Sequence, residues 1–172
     1  MCKLQGLTLL ETIIIIAIIS ILMAGSYPYI QNFLYHQQAN ATANKILNVF
    51  NTATSYASYT NHYLIYCASN DLVHCSDDWQ EGYILFVDRN NNLALDKYEA
   101  ILIKQNALEH AHSLTLRASA ALNYLQFNPD GNLHSLGNFI YCHVSGNMQF
   151  SKKIVFNRAG RARLDDDDPI QC

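Results

Sequence analysis

The chain has 172 residues, half of them hydrophobic and 15% charged, with a formal net charge of −3. With only 7 Gly and 3 Pro it is neither collagen-like nor a Pro/Gly-rich disordered chain, and its 11% aromatic content supplies a packed core. The acidic balance excludes a globally basic nucleic-acid-binding domain, so any basic patch must be local.

The first element is the most hydrophobic. Residues 7–23 read LTLLETIIIIAIISILM, with Glu11 as the one charge. As a helix they span about 26 Å, and residues 24–30 make up the difference to the ~30 Å hydrocarbon thickness of a bilayer. An Ile-rich run favours strand in water, but in lipid every backbone N–H needs an internal partner, so a lone span is helical. A secretory signal peptide would share the basic start at Lys3 and the small residues Ala24 and Gly25. Glu11, costing about 2.5 kcal/mol or more if unpaired in the apolar run, and the lack of a small-x-small cleavage signature favour a retained anchor instead.

Pro28 lies just beyond the span and is expected to bend the helix into two parts. Downstream, Ala39, Ala43, Ile46, Phe50, Ala53 and Ala57 recur at steps of four and three, which is one helical stripe. Asn, Gln, Thr and Lys45 occupy the other faces, so this half lays its stripe on a globular core. From about residue 61 the period changes. Seven β-prone runs are expected at 63–67, 83–87, 100–104, 114–117, 124–127, 139–143 and 153–157, separated by turn signals such as Asn128-Pro129-Asp130-Gly131.

The start MCKLQG followed by LTLLE resembles the leader and cleavage site of type IV prepilins and type II secretion pseudopilins. The resemblance implies cleavage by prepilin peptidase after Gly6, N-methylation of Leu7, and that Glu11 is the family's glutamate at the fifth mature residue. An intramembrane carboxylate needs a partner, and the new N-terminal amine of a neighbouring subunit supplies one. Further along, Trp79-x-x-Gly82, Phe86-Val87-Asp88-x-Asn90-x-Asn92, Phe127-x-Pro129-x-Gly131, Gly137-x-Phe139-x-x-Cys142 and Gly160-Arg161-x-Arg163 occur in the order that resembles the FimT/GspH family of minor pilins and pseudopilins.

This resemblance implies an α+β, type IV pilin-like fold, a long kinked N-terminal helix packed on antiparallel β-sheets. Its expected divisions are a leader (1–6), a transmembrane and filament-core helix (7–30), the amphipathic half of the same helix (31–60) and a β-rich head (61–172). The expected location is the bacterial inner membrane, single-pass with a periplasmic head, and then a pilus or pseudopilus. Partners would be other pilins or pseudopilins, prepilin peptidase and the membrane.

Loss of Cys2 with the leader leaves Cys67, Cys75, Cys142 and Cys172, an even number suited to an oxidising compartment. Three pairings are possible. Cys67 with Cys75, closing a local loop, and Cys142 with Cys172, tying the tail to a strand, are preferred.

Residues 88–99, DRNNNLALDKYE, place Asp88, Asn90, Asn92, Asp96 and Glu99 at positions 1, 3, 5, 9 and 12 of a calcium-binding loop pattern. Leu93 stands where the sharp turn wants Gly, and the flanks read as strands, so a polar hairpin connection is favoured over a weak divalent-cation site. His110-x-His112 reads as an ordinary polar face. No nucleophile motif or phosphate-cradling loop is present, so no enzymatic activity and no cofactor are expected.

The local basic patch lies near the end of the chain, where Lys152, Lys153, Arg158, Arg161 and Arg163 supply five of the 11 Lys and Arg residues. On an extended segment Arg161 and Arg163 point to one side, and small Ala162 leaves room for approach. Two guanidinium groups so spaced suit phosphate contacts. Among FimT-like proteins the Gly-Arg-x-Arg tail is associated with binding double-stranded DNA in natural transformation. Four aspartates at 165–168 follow at once and would repel phosphate unless turned away. Two functions therefore stand: a type IV minor pilin that assists assembly and binds DNA, or a structural type II secretion pseudopilin that does not.

Overall fold

The computed structural model describes residues 8–108, 112–119, 122–165, 170 and 172. Gly6, Leu7, His110, Asp166, Asp167 and Asp168 lie outside the described residues. The chain divides into two compact units, Met1–Gln37 and Gln38–Cys172.

Helix α1, Leu9–Thr60, belongs to both units and is continuous through Pro28. Its first unit exposes Leu9, Leu10, Ile13, Ile14, Ile16, Ile18, Leu22 and Phe33. It is long and apolar enough to cross a membrane. Its hydroxyls suit such a setting because they bond back to the helix: Thr12 Oγ1 donates to the Leu9 carbonyl (2.8 Å), Ser20 Oγ to Ile16 (2.7 Å) and Ser26 Oγ to Leu22 (2.8 Å).

In the second unit all six stripe residues from Ala39 to Ala57 are fully buried. Eight strands follow: β1 Tyr63–Ala68, β2 Gly82–Asp88, β3 Ile101–Asn106, β4 Ser113–Ala118, β5 Tyr124–Phe127, β6 Gly137–Cys142, β7 Lys152–Phe156 and β8 Ala162–Leu164. They form two antiparallel four-stranded sheets, ordered β3-β2-β1-β5 and β4-β6-β7-β8. Phe50 joins helix to both sheets, with ring centroids 6.3 Å from Tyr66, 5.6 Å from Phe127, 6.3 Å from Phe139 and 5.2 Å from Phe156. Trp79 closes the cluster, 4.9 Å from both Tyr66 and Phe139. Burial raises the Tyr66 phenol well above its ordinary pKa and pushes Tyr83 to about 12.

The opposite face of the first sheet is also covered. Ile65, Cys67, Ile84 and Phe86 pack with Leu72, Leu95 and Ile101, which is why β1 and β2 read as continuous apolar runs rather than alternating ones. Cys67 is bonded to Cys75, and Cys142 to Cys172. Inside the first loop the Asp71 carboxylate accepts bonds from His74 and Val73, which hold it well below the usual carboxylate range.

Two expectations are corrected. An eighth strand is present, because Ala162 and Leu164 pack on the core while Arg161 and Arg163 face out. His112 is buried rather than on a polar face, with its ring centroid 4.7 Å from His143 and 5.6 Å from Tyr141. Burial, and then the neighbouring His112, lower the His143 pKa.

Candidate nucleic-acid interface

The hairpin β7–β8 is built by its turn. Asn157 Oδ1 accepts the N–H of Ala159 (3.1 Å) and of Arg161 (3.2 Å), and the Gly160 N–H reaches the Asn157 carbonyl (3.2 Å). Gly160 has φ +71°, which favours glycine, and a Cβ there would run into the Gly131 carbonyl and crowd Thr54. Thr54 Oγ1 of α1 donates to the Gly160 carbonyl (3.2 Å), and the Leu133 N–H donates to the Arg158 carbonyl (2.7 Å). The glycine that opens the Gly-Arg-x-Arg run is thus the point where the hairpin seats on the helix and on the turn containing Gly131.

This seating sorts the five basic residues. Arg158 at the turn, Arg161 and Arg163 are exposed. Arg161 and Arg163 border an open recess of about 460 Å³ whose floor includes Val155, Phe156 and Ala162. Lys152 is half-buried. Lys153 forms an ion pair with Asp165 (Nζ to Oδ2 3.1 Å), and their side chains are only 16% and 11% exposed. The Asp165 N–H also bonds the Lys153 carbonyl (2.9 Å). The first of the four aspartates is therefore neutralised within the sheet rather than set against the arginines.

The other candidates lie elsewhere. Glu11 sits in the first turn of α1, where Thr8 Oγ1 accepts its N–H (3.4 Å) and the helix dipole favours a carboxylate. In the β2–β3 connection, buried Asp88 accepts the N–H groups of Asn92 (3.1 Å) and Leu93 (2.9 Å). Glu99 accepts those of Arg89 (2.7 Å) and Asp96 (2.9 Å). Asp96 accepts the side-chain amides of Asn90 (2.8 Å) and Asn92 (3.0 Å). These five residues brace the connection itself. Among the described residues no group of three or more His, Cys, Asp or Glu is placed to hold a metal ion.

The family model described as type II transport protein GspH matches residues 42–160. The chain belongs to the GspH family. The prokaryotic N-terminal methylation motif matches residues 1–27 of this GspH-family chain. No curated protein matches the sequence. Among solved structures, the type IV minor pilin FimU of Pseudomonas aeruginosa is similar at 22% identity and TM-score 0.57, covering 77% of this chain and 92% of FimU. The minor pseudopilin EpsH of the Vibrio cholerae type 2 secretion system is similar at 10% identity and TM-score 0.56, covering 74% of this chain and 95% of EpsH. At these identities both likenesses show the fold: a long N-terminal helix followed by two antiparallel sheets.

Sequence reasoning singled out the arginines but missed Thr54, Gly131 and Asn157, which hold them in place. Asn157-x-x-Gly160 is a turn signal that could have located the hairpin. Nothing in the sequence pairs Thr54 with a residue 106 positions away.

Proposed function

We propose that the chain is a minor pilin of a type IV pilus that assists pilus assembly and binds double-stranded DNA through Arg161 and Arg163 during natural transformation. The observation that carries this reading is the exposure of Arg163 on β8 and of Arg161 immediately before it, with Asp165 engaged by Lys153. Alternate residues on a strand lie about 6.8 Å apart, twice the 3.4 Å axial rise per phosphate of one DNA strand. Arg158 at the hairpin turn adds a third positive charge beside them. The role is structural and adhesive, and no reaction is assigned to it.

In this reading residues 1–6 are a leader removed after Gly6, Leu7 is N-methylated, residues 7–30 cross the inner membrane and join the filament core, and the head is periplasmic. Glu11 meets the N-terminal amine of the adjacent subunit. Intact mass of membrane-extracted protein tests the processing: loss of the leader with one added methyl is expected, and a retained leader in cells with active prepilin peptidase contradicts it.

The match to a type II transport family favours a second reading, a pseudopilin of a type II secretion system without DNA binding. Titration of the full chain in non-ionic detergent with duplex DNA separates the two. Binding that collapses in an Arg161→Ala/Arg163→Ala variant supports the first. Absence of binding, or binding indifferent to those arginines, leaves the second.

A further inference from the structure

The register of the second sheet brings one more arginine onto the face of Arg163. Arg117 on β4 is paired with Asn138 on β6, Asn138 with Val155 on β7, and Val155 with Arg163 on β8. Residues paired across an antiparallel ladder project to the same side, so these four form one row across the sheet. The adjacent row, Leu116, Phe139, Ile154 and Leu164, belongs to the core or packs against it. The Arg117 row is therefore the outer one, and Arg117 and Arg163 are exposed at its two ends.

We infer that Arg117 is a second phosphate anchor, and that the DNA-binding surface extends from the C-terminal hairpin along this row to β4. The inference rests on the DNA-binding reading and extends it. Three strand spacings of about 4.8 Å separate β4 from β8, so the two ends of the row are about 14 Å apart. That span is comparable with the ~12 Å width of the DNA major groove, so guanidinium groups at the ends each reach one of the strands that border it. Between them Asn138 and Val155 are half-buried and uncharged. Charge at both ends of a neutral row selects a polyanion with two separated lines of phosphate. Arg161, two residues before Arg163 and just ahead of β8, would lie along one of those lines.

The test is fluorescence anisotropy of a labelled duplex titrated with the full chain in non-ionic detergent at several salt concentrations. Each lost phosphate contact lowers the slope of log K against log[salt] by about 0.9, which at 0.15 M salt is about fivefold in affinity. Arg117→Ala is expected to produce that loss, and Arg117→Lys to restore the slope because the charge is kept. Lys104→Ala, which removes an exposed charge from β3 of the other sheet, is expected to leave both unchanged. Trp79 fluorescence verifies that each variant is folded. If Arg117→Ala binds like the unaltered protein while Arg161→Ala/Arg163→Ala loses affinity and salt slope, Arg117 is outside the surface and this inference is overturned, but the reading of the hairpin stands. If Arg117→Lys loses as much as Arg117→Ala, the residue acts structurally and the inference fails. If the unaltered protein does not bind duplex DNA, both are overturned.

Discussion

The two disulfides close loops of very different size, with sequence separations of 8 for Cys67–Cys75 and 30 for Cys142–Cys172. In the chain-entropy account a cross-link stabilises by restricting the unfolded chain, and these separations give about 2.5 and about 3.6 kcal/mol respectively. The comparison is cleanest when no side chain changes. In a Cys67→Ala/Cys75→Ala variant the remaining bond is Cys142–Cys172, and its oxidised and reduced forms differ by that cross-link alone. The reciprocal variant isolates Cys67–Cys75. Urea unfolding of each form, followed by the fluorescence of buried Trp79, reads the packing of the head because that ring lies against Tyr66 and Phe139. Reduction is expected to cost about 1 kcal/mol more for the long loop than for the short one. Equal costs, or a larger cost for Cys67–Cys75, would refute the loop-closure reasoning and place the stabilisation in local packing around buried Cys67.

Other perturbations follow from the same geometry. Lys153→Met leaves the largely buried Asp165 carboxylate uncompensated, and chemical denaturation should show a loss of about 3 kcal/mol that Lys153→Met/Asp165→Leu recovers in good part. Gly160→Ala forces a side chain into a left-handed turn against the Gly131 carbonyl, so it should destabilise more than Thr54→Ala, which removes one hydrogen bond worth about 1 kcal/mol. Thermal melts of the two variants check the order. Because the folded state lowers the His143 pKa, the unfolded chain binds that proton first. Stability should therefore be full above the unfolded value of about 6.5 and fall as pH drops below it, and His143→Gln should flatten the dependence.

The helical half of this fold was legible because its signal is local. The stripe from Ala39 to Ala57 states in sequence which face is buried, and the structure buries all six residues. Seven strands announced themselves through apolar runs between turns. β8 did not, since Ala162, Arg163 and Leu164 are only three residues, carry no β-branched side chain and place just two side chains on the core. The basic cluster was legible as composition but not as a surface. Whether Lys153 faced solvent or Asp165 depended on the end of β8, and sequence proximity alone set all four aspartates against the arginines. Alternation with Leu114 and Leu116 could have turned Arg117 outward. Only the β4-β6-β7-β8 order places it in the row that ends at Arg163.

The central claim is that Arg161 and Arg163 hold duplex DNA by its phosphates. Its most direct measurement is the salt dependence of duplex binding by the full chain beside the Arg161→Ala/Arg163→Ala variant. Two lost contacts should lower the slope of log K against log[salt] by about 1.8 and the affinity at 0.15 M salt by about 30-fold. An unchanged slope and affinity in the variant would contradict the account.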